Sequence, residues 1–249
     1  MSHMPRLYTD ASLVEGQSFA LADSQAKYLT RVMRLSAGAT VRVFNGRDGE
    51  WRCLLGLEGK RARLTPTARI REQHPGPDLT LIFAPVKKSR TDFIVEKATE
   101  LGVRQIQPVI TDYTQSQRVR TDRMRLLAIE AAEQTERMDL PEIVEAQPLA
   151  KLLASWNTAK PLIYCDENGA AAPLEDRKST LREKGAGVLI GPEGGFSPNE
   201  RAQLRAQPFV MAITLGPRIL RAETAAIAAL TLWQSLVGDW QNPPYLPQT

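Results

Sequence analysis

The chain has 249 residues, 43% of them hydrophobic and 24% charged, and a formal net charge of +4. That length serves one large domain or two smaller ones, each able to bury a core, and no apolar run nears the roughly 18 residues that cross a membrane. His3 and His74 are the only histidines and Cys53 and Cys165 the only cysteines, which nearly excludes a Ser-His-Asp triad, a histidine base and a His-rich metal site.

Ser2-His3-Met4 reads as a vector-derived scar, so Met4 is the expected native start, and no basic-then-apolar signal segment opens the chain. The two cysteines lie far apart, without metal or redox spacing, which fits a reducing cytoplasm. Charge is uneven. Residues 1–72 hold 12 Lys/Arg against 7 Asp/Glu, and the remainder holds 20 against 21. A basic first part suits contact with a polyanion such as nucleic acid, and equally a solvated basic surface; Arg6, Arg31 and Arg34 are its candidate contacts.

Residues 25–35 read as a helix with Tyr28, Leu29, Val32 and Leu35 on one face. Residues 40–44 form a strand leading into Asn45-Gly46, a hairpin signal, and strands follow at 51–55 and 61–70. This pattern predicts a small β-barrel over residues 1–72. Gln73-His74-Pro75-Gly76-Pro77 cannot continue regular structure, so 73–78 is a linker.

Beyond it, strands and helices alternate. Strands are expected at 79–83, 104–109, 162–165, 188–190 and 211–215, and helices at 92–101, 122–137, 200–205 and 225–237. The short apolar strands are of the buried, parallel kind, so residues 79–249 form an α/β domain. Glu133 and Arg137, four apart on one helix, are placed for an ion pair; with Gln134 they read as a structural network or as a cleft wall. The last helix is apolar nearly all round and must be buried.

Two late loops concentrate the chemistry. Gly191-Pro192-Glu193-Gly194-Gly195-Phe196 follows Leu189-Ile190, and Leu215-Gly216-Pro217-Arg218-Ile219-Leu220-Arg221-Ala222-Glu223-Thr224 follows the next strand. α/β sheets place ligands outside the carboxyl ends of their strands, and glycine lets backbone approach a flat ligand closely. Leu189 to Gly195, with Leu215, Gly216, Ile219, Leu220 and Arg221, are the candidate nucleoside contacts. The first loop lacks the Gly-Lys-Ser/Thr ending of a P-loop and the Gly-x-Gly-x-x-Gly spacing of a nicotinamide fold. Glu193 reads as satisfying loop amides or touching the ligand. Glu223 reads as a carboxylate favoured at a helix start, or as one orienting Arg221 or a ligand. Lys87-Lys88-Ser89-Arg90 is a basic cluster at a strand end, with Lys87, Lys88 and Arg90 candidate phosphate contacts.

GPEGGFSPNE followed by LGPRILRAETAAIAAL resembles the last two motifs of the RsmE family, methyltransferases acting on uracil N3 of 16S ribosomal RNA. Glu96 to Val103, and Glu133-Gln134 with Arg137 and Pro141, are weaker matches, and the likeness covers essentially the whole chain. The family commonly has a histidine where this chain has Lys27-Tyr28. The resemblance implies a PUA-like RNA-binding barrel followed by a knotted, parallel-sheet SPOUT domain that holds S-adenosylmethionine. It also implies a substrate in the small ribosomal subunit, a homodimer paired through the C-terminal domain, and no metal. Arg221 and Arg218 are then expected to stabilise the deprotonated imide, with Glu223 beside them as a candidate catalytic carboxylate. Three rivals remain: a non-catalytic ribosome-assembly factor, a nucleotide-dependent oxidoreductase, and a methyltransferase for another RNA.

Overall fold

The computed structural model describes residues 4–59, 61–115, 119–166, 171–181 and 185–243; Ser2 and His3 of the expected scar lie outside them. The described chain divides into two compact units. One comprises residues 4–75 and 132–140, the other 76–131 and 141–243. The first unit thus includes a segment that the reading by sequence order assigns to the second.

The first unit contains β1 (Arg6–Tyr8), β2 (Phe19–Ala20), α1 (Asp23–Lys27), a π-helical turn (Tyr28–Val32), β3 (Thr40–Phe44), β4 (Glu50–Glu58) and β5 (Arg61–Arg71). The strands form one sheet in the order β1-β3-β4-β5-β2. Alternation along β4 turns Cys53 and Leu55 inward and Leu54 outward, and the inward set packs with Leu7, Leu29, Val41, Val43 and Leu64. Asn45-Gly46 does not close a two-residue hairpin. Asn45 Oδ1 instead accepts the N–H groups of Arg47 and Asp48 at 3.1 and 2.8 Å. Gly49 then takes φ +82, where a Cβ would lie 2.3 Å from the Arg71 carbonyl.

The expected helix over 25–35 is divided between α1 and the π turn. Leu29 is buried, while Tyr28 and Val32 are 37% and 68% exposed. The wider π turn rotates these two side chains away from the face that 3.6-residue spacing assigns them.

Arg6 is corrected outright. It is buried, with Nε 2.5 Å from Glu50 Oε1, and it donates to the carbonyls of Ala132 and Arg137. Arg71 and Arg42 reach the other Glu50 oxygen at 2.6 and 2.9 Å and also pair with Glu136. A guanidinium engaged in this way is not presented to RNA. The helix ends at Gln134 and Glu136 adopts φ +63, so Arg137 lies beyond the helix that carries Glu133. Arg137 pairs with Asp139, and Glu133 accepts the Tyr8 N–H.

The second unit follows the alternating pattern: β6 (Leu79–Phe83), α2 (Lys88–Glu100), β7 (Gln105–Ile110), α3 (Thr121–Gln134, whose last turn lies in the first unit), β8 (Glu142–Ile143), β9 (Gln147–Pro148), α4 (Leu149–Ser155), β10 (Leu162–Cys165), α5 (Lys178–Leu181), β11 (Ala186–Ile190), α6 (Pro198–Arg205), β12 (Val210–Ile213) and α7 (Ala222–Val237). All pairings in this sheet are parallel, in the order β12-β10-β11-β6-β7-β8, with β9 also on β7. Successive strand residues divide between two cores. Leu81, Phe83, Ile163, Val188 and Ile190 face α2 and α7, whereas Ile82, Leu162, Tyr164 and Leu189 face α4 and α6. α7 buries Ala222, Ala226, Ala229, Leu230 and Trp233 against its own sheet, leaving Leu232 exposed. Its apolar character is therefore largely accounted for within one chain.

Candidate active site

Because the sheet is parallel, the exits of β6, β7, β11 and β12 all open on one edge. Ile190 aligns with Phe83, Phe83 with Pro108, and Cys165 with Ile213. Leu189 and Ile190 are fully buried side chains, one in each core, so at this edge they anchor the loop. The Ile190 carbonyl accepts the Ala84 N–H at 3.0 Å.

The loop after β11 is shaped by close approach. A Cβ at Gly191 would lie 2.8 Å from the Phe196 ring, which is itself buried edge-on against Tyr164. Gly195 donates to the Pro192 carbonyl at 2.8 Å, closing a turn with φ +69 at Gly195. Gly194 lies against the Tyr113 side chain at 3.6 Å from a built Cβ. Ser197 then caps α6. Its Oγ accepts the Glu200 N–H at 3.2 Å, and Glu200 Oε2 accepts the Ser197 N–H at 2.9 Å. Glu200 Oε1 also accepts the Asp112 N–H at 2.9 Å, and Ser197 donates to Asp112 Oδ2 at 2.5 Å. Buried Glu200 thereby ties the exit of β7 to that of β11. Sequence reasoning missed this network, although Ser197-Pro198-Asn199-Glu200 carries the Ser-x-x-Glu signal of a reciprocal cap.

The loop after β12 is more open. Leu215 packs on the core's border, while Gly216, Arg218 and Arg221 are exposed and Ile219 is 84% exposed. Neither arginine forms an ion pair among the described residues. Arg221 caps α7 by its backbone, its carbonyl accepting the Ala225 N–H at 2.8 Å. Glu223 occupies the first turn, where the helix dipole favours negative charge. Its side chain is 15% exposed, and its Oε2 is buried without a hydrogen-bond partner.

The basic cluster divides. Lys87 and Lys88 are exposed at the start of α2, and the Lys87 carbonyl accepts the N–H groups of Arg90 and Thr91. Arg90 turns toward the loops instead, pairing with Glu193 Oε1 and lying 3.6 Å from Glu223 Oε1. Arg31 and Arg34 are exposed on the first unit, Arg34 at φ +54. Among the described residues no cluster of His, Cys, Asp and Glu could hold a metal ion, and no helix is long and apolar enough to cross a membrane.

Comparisons with known proteins cover most of the chain. A family model of the RNA methyltransferase domain matches residues 72–234, and one of the RNA methyltransferase PUA domain matches 21–64. The ribosomal RNA small subunit methyltransferase E of Rickettsia conorii is 34% identical over 231 residues, covering 90% of this chain and 93% of its own. The crystal structure of the Neisseria gonorrhoeae ribosomal RNA small subunit methyltransferase E, bound to S-adenosylmethionine, is 31% identical with a TM-score of 0.85, covering 96% of this chain and all of that one. A Legionella pneumophila protein in complex with the same cofactor is 26% identical with a TM-score of 0.86, covering 95% and 99%. With the identity holding across both units, the chain belongs to the ribosomal RNA small subunit methyltransferase E family.

Proposed function

We propose that this protein transfers a methyl group from S-adenosylmethionine to N3 of one uridine in 16S ribosomal RNA of the small subunit, in the cytoplasm and as a homodimer paired through the second unit. The knotted path of the SPOUT class belongs to the same proposal. The observation that carries the reading is the pairing, on one sheet edge, of an exposed aliphatic side chain with a buried carboxylate oxygen lacking a donor. Ile219 offers apolar surface to a flat ring, and Glu223 Oε2 offers an acceptor to an N–H or O–H group. Adenosine with an amino-acid tail has both chemistries, and the main chain at Gly191, Gly194, Gly195 and Gly216 gives it close approach.

When bound, the donor supplies an electrophilic methyl carbon on a cationic sulfonium. The protein's share is to make uracil N3 nucleophilic and to hold it in line. N3–H is a weak acid whose lone pair is available only after the proton leaves. Exposed Arg221 and Arg218 are free to face the imide oxygens and stabilise the anion, a preorganised charge meeting a developing one. Glu223 is the nearby carboxylate with an unoccupied oxygen to accept the proton. N3 then bonds to the methyl carbon as the carbon–sulfur bond breaks, and that electron pair returns to sulfur.

The first unit supplies the RNA surface. Between Asp23 and Asp48 the chain has no acidic residue, and Lys27, Arg31, Arg34 and Arg47 are exposed there. Exposed Tyr28 sits among these cations, and an aromatic face between basic groups suits a stacked base with held phosphates. Lys87 and Lys88 are further phosphate contacts on the second unit. Cys53 fits a reducing compartment as an inert core residue, since burial pushes its thiol up to about 12. The test incubates the protein with labelled donor and small subunits lacking the modification, then maps the base. Label on uracil N3 is expected. Donor binding without incorporation points to an assembly factor, and label on another base or RNA replaces the substrate.

A further inference from the structure

We infer that Arg90 is a positioning residue for the two cofactor loops, acting as the shared counter-ion of Glu193 and Glu223, and not a contact to RNA phosphate. The inference deepens the cofactor reading above and rests on it. Three elements meet at this guanidinium. Arg90 belongs to the first turn of α2, where its N–H is held by the Lys87 carbonyl at 2.9 Å. Its Nη1 pairs with Glu193 Oε1 on the loop after β11, and its Nε lies 3.6 Å from Glu223 Oε1 at the start of α7. All three side chains are mostly shielded, at 30%, 35% and 15% exposure.

Without the cation, two carboxylates on neighbouring loops would repel each other. The loop after β11 holds three glycines and the loop after β12 one, which gives both more backbone freedom at those positions. A planar fork on a third, helical element limits that freedom and fixes the distance between the loops. Lysine, a point charge on a flexible stem, cannot serve two carboxylates in the same geometry. The engagement also separates Arg90 from Lys87 and Lys88, whose charges remain outward.

The experiment measures calorimetric binding of S-adenosylmethionine, and separately of S-adenosylhomocysteine, to the full chain without RNA. Arg90→Ala is expected to weaken both ligands by the same factor, about tenfold for a coupled contact of this kind. Arg90→Lys should recover part of the loss, and it reports on the site should the alanine variant fail to fold. Adding Glu223→Gln to Arg90→Ala should cost less than the product of the single effects. In turnover, KM for the donor should rise with the loss of affinity. Unchanged donor affinity with weakened RNA affinity would make Arg90 a phosphate contact and overturn the inference, as would no change in either. A wild-type chain that binds neither nucleoside removes the cofactor reading itself, an outcome distinct from a silent Arg90.

Discussion

The two units treat charge in opposite ways. In the first, Glu50 has no exposed surface and both its oxygens are occupied by arginines. In the second, Arg218 and Arg221 stand exposed on a glycine-bearing loop, and Glu223 keeps a buried oxygen without a donor. A buried charge with every partner in place serves the fold. A charge or acceptor left incomplete beside flexible backbone is where a ligand completes the structure. Charge type does not separate the two cases, since arginine and glutamate supply both; what separates them is whether their partners are already present.

The contrast breaks most sharply at Glu50. Replacing it with alanine leaves Arg6, Arg42 and Arg71 around one site without their common anion, which should cost about 3–5 kcal/mol, as for any buried pair broken on one side. Denaturant unfolding of the full chain measures this, and a loss below about 1 kcal/mol would show that the arginines find other partners. pH gives a second handle. The three guanidinium groups hold the Glu50 carboxyl below its ordinary 4.5 despite burial. A carboxyl depressed in the folded state contributes its stability above the unfolded value and loses it as pH falls through the folded one. Wild type should therefore lose stability more steeply than Glu50→Gln below about pH 4.5.

The opposite side of the comparison is Arg221. Arg221→Ala removes an exposed side chain, so the melting temperature should hold, while methyl transfer falls by roughly 10²–10³-fold if it stabilises developing charge. Unchanged turnover takes Arg221 out of the mechanism.

These two arginines also show how far the residues alone could be read. Both are arginines in short apolar contexts. The place of Arg221, exposed at a helix start, was legible because Gly216, Pro217 and the helix start surround it within one local motif. Arg6 was not, because its partner Glu50 lies 44 residues away and the carbonyls it caps more than 125 away. The parallel sheet was legible from short apolar strands, and every expected strand from 79 onward is present, with ends shifted by a few residues. β1 and the two-residue strands β2, β8 and β9 were missed, since so few residues carry no period. The 25–35 helix was legible as an element but not in its rotation, because a π turn leaves no mark in hydrophobic spacing. Lys87-Lys88-Ser89-Arg90 suggests one outward patch, whereas the helix start turns Arg90 toward Glu193 and Glu223 while Lys87 and Lys88 stay exposed.

Tyr28 tests whether the outward rotation has a use. Tyr28→Ala should weaken binding of single-stranded RNA by about 5- to 50-fold, and Tyr28→Phe should retain most of it, since stacking needs the ring and not the hydroxyl. Anisotropy with a labelled oligonucleotide reads both. Equal losses would assign the effect to the hydroxyl, and no loss would leave Tyr28 as ordinary exposed surface.

The smallest expected effect lies between the two kinds of charge. Ser197 belongs to a satisfied network, yet that network borders the cofactor loop. Ser197→Ala removes the acceptor for the Glu200 N–H and the donor to Asp112, so it should cost about 1 kcal/mol, the usual value of a helix cap, or about 2–4 °C in melting temperature for a domain of this size. Ser197→Thr, which keeps the hydroxyl, should recover most of it. Because the same network holds Asp112 next to Tyr113, and Tyr113 supports Gly194, donor affinity should fall along with stability. At Arg221 chemistry is lost with stability intact, and at Glu50 stability is lost first. Ser197→Ala should move both together, and a loss of stability with donor affinity unchanged would place the cap wholly on the side of the fold.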